Sequence, residues 1–293
     1  MAINKNKTGL QGTIGGLQYR QVNGKEIVSE KAVNKKNPKT VRQMAHRVKW
    51  MNISAMYRAA DGALYNAFEG KSGNINDYTL FMGANLYLEQ EVYLTKQEKE
   101  NNACVVAPYQ ISRGMLPSIG MHLENNQLTT DIRLGEFTIS SETTVGDLAM
   151  VIQKENLSFQ EDDCLSIVLF TQEWNNNTNV PTASCDKEII KLDSYDETPL
   201  DIVLSCINIC NQNGVLAITQ LCGDYGIAVV HSRKKVNGNV AISTQYLEVQ
   251  NALFDQYSSK EQQRKAMVSY GVKEDPFLSH GAGSKKARRN EGF

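Results

Sequence analysis

Apolar and polar residues alternate with a period of two from Leu17 to Val33, on either side of Asn23-Gly24. An Asn-Gly pair tolerates the positive φ that both central positions of a type I′ turn require, so "LQYRQVNGKEIVSEKAV" predicts a β-hairpin. The sixteen residues before it hold Gly9, Gly12, Gly15 and Gly16 and almost nothing large, the composition of a flexible arm. The period then lengthens. Val41, Met44, Ala45, Val48, Met51, Ala55 and Ala59 recur every three or four residues, the apolar stripe of a helix, while Arg42, His46 and Lys49 fall on another face. "NPKT" supplies a start for it, with Asn37 as cap and Pro38 in the first position, where its missing N–H costs nothing. Further helices are predicted over 62–68 and 77–94, and "TKQE" at 95–98 matches a capping box for a short helix.

From Ala103 the period returns to two. "ACVVAPYQIS", "GMHLENNQLTTDIRL" and "CLSIVLFTQEW" predict strands, the second folding over at Asn125-Asn126. A helix is predicted over 144–157. "GVLAITQLCGDYGIAVVHSRKKVNGNVAISTQYLEV" predicts a meander of three strands, turning at Gly223-Asp224 and Asn237-Gly238. A polar helix, "SSKEQQRKAMVSYGV", follows and stops at Gly271. The last stretch, "KEDPFLSHGAGSKKARRNEGF", has the composition of a disordered tail. The pattern predicts an α+β chain in four parts. These are an arm and hairpin (1–36), a helical segment (37–102), an antiparallel β-sandwich or barrel-like domain (103–250), and a C-terminal helix with a basic tail (251–293).

Net charge over the 293 residues is −1, which gives the whole molecule no electrostatic destination. Its distribution is uneven. Residues 1–50 carry eleven Lys and Arg against Glu26 and Glu30, a net of +9, and 142–201 carry thirteen Asp and Glu against three Lys, a net of −10. Opposed blocks of this kind allow copies of one chain to meet head to tail, and a basic end also suits nucleic acid. The basic candidates are Lys35, Lys36, Lys39, Arg42, Arg47 and Lys49 near the first helix, and Lys285, Lys286, Arg288 and Arg289 in the tail. A solvated or protein-facing role for them is weighed above phosphate binding, because only Trp50 and Tyr57 lie nearby to stack on bases.

No run of about eighteen apolar residues occurs, so no membrane span and no membrane partner are expected. "MAINKNKTGLQG" has no apolar signal region, so Cys104, Cys164, Cys185, Cys206, Cys210 and Cys222 are expected as thiols in a reducing cytoplasm. Zinc on Cys206, Cys210, Cys222 and His231 is a poor fit. The first pair is spaced by three inside the apolar run "DIVLSCINICN", where buried strand cysteines acting as small hydrophobes are expected instead. Cys222 and His231 have no readable third residue or oxyanion loop for a nucleophile pair. "EDD" at 161–163 lacks the alternation and glycine of a calcium loop and predicts a solvated turn. No nucleotide, serine-hydrolase or zinc-protease motif occurs, and neither an enzyme nor a cofactor is expected.

Several stretches in order carry a resemblance: the Gly-rich hairpin, "NPKTVRQMAHR", "NAFEG…YTLFMGANL", "APYQISRGML" and "GIAVVHSRKKVNGNVAISTQYLEV". Together they resemble a protein family widespread in Bacteroidetes and their phages, with an "NP-x-T-x-x-Q-x-x-R" helix start and a later "SRG-x-L" segment. Here those positions are Asn37, Pro38, Thr40, Gln43 and Arg47, then Ser112, Arg113, Gly114 and Leu116, and the likeness runs from about residue 9 to 250. Members occur among the virion proteins of crAss-like phages. The resemblance therefore implies a structural ring protein of the neck and tail barrel below the portal, a head–tail connector part assembled in the host cytoplasm. It implies a cyclic, twelve-fold homo-oligomer that meets portal, ring or tail proteins and surrounds passing DNA. It carries no catalytic or ligand residues. The competing expectations are a nucleic-acid-binding protein and a capsid-decorating or adhesion protein.

Overall fold

The computed structural model describes residues 11–22, 25–31, 39–72, 75–87, 91–236 and 238–272. Among these residues the fold is mixed α+β, with antiparallel sheets and no closed barrel. At the N-terminus, β1 (Gly12–Ile14), β2 (Leu17–Val22) and β3 (Lys25–Glu30) form a three-stranded sheet. The predicted hairpin is there, its Asn23-Gly24 turn lying outside the described residues. Part of the predicted arm is strand instead: Gly12–Ile14 folds back on β2 around Gly15, whose φ of 56° suits glycine.

Helix α1 (Val41–Ala59) is capped by Thr40, whose hydroxyl accepts from the Gln43 N–H. It therefore starts after the predicted cap Asn37 and first-turn Pro38, both outside the described residues. Its stripe buries Met44, Val48 and Ala55 as the spacing predicts, and also Asn52, Ile53 and Met56. No helix follows over 62–68, because Asp61, Gly62 and Asn66 all have positive φ and turn the chain. Helix α2 (Asp77–Asn85) is shorter than predicted. The Asn85 carboxamide donates both to the Phe81 carbonyl and to Gln110, and the chain leaves the helix there. Helix α3 (Lys96–Glu100) carries the predicted capping box of Thr95 and Glu98.

The β region contains β4 (Gln110–Ser112), β5 (Met121–Glu124), β6 (Gln127–Arg133), α4 (Val145–Glu155), β7 (Cys164–Asn175), β8 (Val180–Lys191) and α5 (Leu200–Val203). It continues with β9 (Asn208–Gln212), β10 (Val215–Thr219), β11 (Asp224–Lys234), β12 (Val240–Ile242), β13 (Gln245–Tyr246) and β14 (Glu248–Gln250). Two sheets dominate: β5-β6-β10-β9, and β12-β11-β7-β8 with β14 added to β11. They share one core, in which Leu128, Ile132, Leu216 and Ile218 meet Leu165, Ile167, Ile227 and Val229, with Leu148 and Ile152 of α4. This is a sandwich, as expected.

The predicted three-strand meander does not form. β10 and β11 belong to different sheets, because the left-handed residues Gln220 and Gly223 turn the chain from one layer to the other. Of the three strands predicted there, β11 and β12 pair as a hairpin. The outer face of the larger sheet carries a second core of Val168, Phe170, Ala228 and Val230, to which α1 and α2 contribute Ile53, Met56, Phe81 and Met82. The C-terminal helices α6 (Phe254–Ser258) and α7 (Lys260–Ser269) follow, α7 capped by Ser259. Ala266 and Met267 of α7 pack on Met44 and Val48. Among the described residues, no helix is long and apolar enough to cross a membrane.

Candidate subunit interface

Among the described residues, the N-terminal sheet contributes none to the three hydrophobic clusters. In antiparallel pairing, directly opposed residues share a face. Gly12 opposes Tyr19, which in turn opposes Val28, and Ile14 opposes Leu17. One face therefore collects Ile14, Leu17, Tyr19 and Val28, with Gln21, Glu26 and Glu30 beside them. Ile14 is 49% exposed, Leu17 41% and Val28 52%. Within the described residues, β1 and β3 are also unpaired on their outer edges. Sheets of this size need a covered apolar face to be stable, so this face is the candidate contact surface.

Helix α1 presents the second surface. Arg42, Gln43, His46, Arg47 and Trp50 are exposed along its first three turns, on the side away from Met44 and Val48. The His46 and Trp50 rings pack with centroids 6.2 Å apart. Of the basic candidates, Arg42 and Arg47 come together here. Lys39 is exposed just before the helix, its Nζ beside Gly271. Lys49 is drawn away, pairing with Glu91, whose carboxylate also accepts from the Tyr93 hydroxyl. Lys35, Lys36, Lys285, Lys286, Arg288 and Arg289 lie outside the described residues.

The acidic block of 142–201 is less free than its charge implies. Asp147 closes the capping box of α4, Glu161 accepts from Ser194 and Gln153, and Asp162 pairs with Lys191. Glu188 is buried against the Ser205 and Cys206 N–H groups. Glu142, Glu173, Asp186, Glu197 and Asp201 are exposed. Asp163 is fully buried rather than in a solvated turn. Its Oδ2 lies 2.8 Å from His231 Nε2, and Arg233 donates to both carboxylate oxygens at 2.7 Å. Burial pushes the Asp163 carboxyl upward, but the bonds from Arg233, His231 and the Gln160 N–H outweigh it and hold the group at about 2. An ionised carboxylate only accepts, so His231 carries its proton on Nε2.

The cysteines also depart from expectation. Cys206 is exposed and Cys210 half-buried, because the run around them breaks into α5, a loop and β9 rather than one buried strand. Cys222 is exposed just before β11, while His231 is committed to Asp163. Burial pushes the Cys104 and Cys185 thiols up to about 12, away from the nucleophilic thiolate.

Three quoted stretches meet at one knot that spacing did not reveal. Glu69 of "NAFEG" accepts from the backbone N–H of Met115 at 2.9 Å and of Ile242 at 2.8 Å. Phe68 bridges Arg113, and Gly114 exchanges bonds with the Thr244 hydroxyl. A Cβ on residue 114 would collide with Glu69 Oε1 and the Ile242 carbonyl, so this position of "SRGML" requires glycine. The available signal was the pairing of an acidic residue in one short stretch with a glycine in another. No protein-family model matches the chain, and neither does any curated protein or solved structure with which it was compared.

Proposed function

We propose that this chain is a structural, non-enzymatic subunit of a phage virion. In this reading it forms a closed ring in the portal-proximal neck and tail barrel by clasping neighbouring copies. The observation that carries the reading is the N-terminal sheet, whose Ile14, Leu17, Tyr19 and Val28 belong to none of the three hydrophobic clusters among the described residues. A second copy is the partner that removes both liabilities, covering the face and pairing the outer edges of β1 or β3. The exposed carboxylates Glu142, Glu197 and Asp201 offer a complement to the basic N-terminal segment, which heterologous ring contacts need. The order of motifs named above supports the virion setting and the twelve-fold copy number.

One observation favours a second reading. Arg42, Arg47, His46 and Trp50 share an exposed helical face, which is the composition of a phosphate- and base-contacting surface. In a ring it would line a conduit for DNA.

Electron microscopy of the purified full chain, beside a chain lacking residues 11–31, tests the proposal. The reading expects rotationally symmetric rings from the full chain and single subunits from the shortened one. Rings from both would remove the N-terminal sheet from the account. Single subunits from both, with DNA affinity falling steeply as salt is added, would favour nucleic-acid binding.

A further inference from the structure

A groove of about 210 Å³ opens on the outer face of the larger sheet. Val168 of β7, Val230 of β11 and Ile242 of β12 form an apolar floor, with the hydroxyls of Ser166 and Ser232 beside them. The turn after α1, residues 63–67, forms one wall. Lys187 of β8 stands at the side, directly opposite Val168 across the β7–β8 ladder.

The chemistry around this lysine is unusual for an exposed strand residue. Its neighbours Asp186 and Glu188 alternate to the other face of the strand, and Glu188 is engaged there by Ser205 and Cys206. On the groove side its companions are Cys185 and Cys164, both neutral thiols, and Ile189. Its amine donates to the Ala63 carbonyl at 3.0 Å, and no carboxylate pairs with it among the described residues. Desolvation over the apolar lining lowers the pKa of the amine. A cation held over an apolar trough without a counter-ion complements a ligand with an apolar body and one negative charge.

We propose that this groove binds a small amphipathic carboxylate, with its aliphatic or aromatic body on Val168, Val230 and Ile242 and its carboxylate on Lys187. An apolar cavity of about 150 Å³ accommodates benzene. A groove of about 210 Å³ therefore has room for a body of about six carbons. This site does not depend on the ring reading, since every residue named lies within one chain.

Hexanoate is the probe, titrated into the full chain while the methyl signals of Val168, Val230 and Ile242 are followed by NMR. Hexanol serves as the uncharged control. The proposal expects saturable shifts confined to these methyls with hexanoate and at least about tenfold weaker binding of hexanol. It also expects at least about tenfold loss in Lys187→Met and retention in Lys187→Arg. Thermal melts of both variants show that the fold is kept, which the surface position of Lys187 favours. Absence of shifts at millimolar hexanoate would overturn it. So would equal binding of hexanol, or an affinity unchanged in a folded Lys187→Met protein.

Discussion

Asn52 of α1 and Val105 exchange two hydrogen bonds, the Val105 N–H donating to Oδ1 at 2.9 Å and Nδ2 donating to the Val105 carbonyl at 2.8 Å. Asn85 of α2 does the same for Gln110, at 2.7 and 2.9 Å. Each carboxamide stands in for a neighbouring strand, satisfying the donor and the acceptor of one buried residue. Gln172 and Asn251 complete the set at Val106, accepting from its N–H and donating to its carbonyl. The stretch 103–109 forms no strand, and with the Cys104 N–H donating to the Pro181 carbonyl and the Tyr109 carbonyl accepting from the Leu247 N–H it leaves few backbone groups for water. Replacing Asn52 by Leu keeps most of the volume but orphans both Val105 groups. Urea denaturation is expected to show a loss of about 2–3 kcal/mol. A change near zero would mean that water takes over both bonds.

Gly114→Ala tests the knot at Glu69. Both obstacles are held, one by two backbone N–H groups and the other within the β11–β12 hairpin region, so neither can yield cheaply. The expected cost is about 1–3 kcal/mol in thermal or urea unfolding. Glu69→Gln retains an acceptor oxygen and is expected to cost less than Glu69→Ala.

The Asp163 cluster gives a pH prediction. Its folded pKa of about 2 lies below the ordinary 3.8, so the unfolded chain takes up the proton first as the medium is acidified. The stabilisation is complete above pH about 4 and is lost as pH falls towards about 2, a change of about 2 kcal/mol. Asp163→Asn is expected to flatten stability over that window and to cost about 2–3 kcal/mol at neutral pH, since one of its two acceptor oxygens becomes a donor facing Arg233 or His231. The check is urea unfolding repeated across that pH range.

These cases show what the sequence carried and what it did not. Alternation around Asn23-Gly24, the capping box at Thr95, the helical stretch over 144–157 and the apolar run of β7 are local signals, and each element formed. The run at 103–112 also alternates, yet only Gln110–Ser112 is strand, because Val105 and Val106 bond to side chains distant in sequence instead of to a strand. β8 escaped notice because it is polar and contains Pro181, which a sheet tolerates at an edge such as this one. Asp163 read as solvent-facing because His231 and Arg233 lie 68 and 70 residues away. Of the face that helical spacing predicts, Arg42 and His46 are exposed together in the structure, whereas the diversion of Lys49 to Glu91 depended on tertiary packing.

The apolar face of the N-terminal sheet is addressed by Val28→Asp and Ile14→Asp. Both positions lie outside the three cores, so the melting temperature of the remaining fold is expected to hold within a few degrees while assembly is lost. Sedimentation velocity of each variant beside the parent is the measurement.

The central claim is that copies of this chain cover each other's N-terminal sheets. The mass of the full chain in solution, measured by light scattering across a wide range of concentration, tests it most directly. The account predicts a discrete multiple of 32.7 kDa that falls to a single subunit when residues 11–31 are removed. A particle of 32.7 kDa at every concentration, with its N-terminal sheet protected from amide exchange, would contradict it.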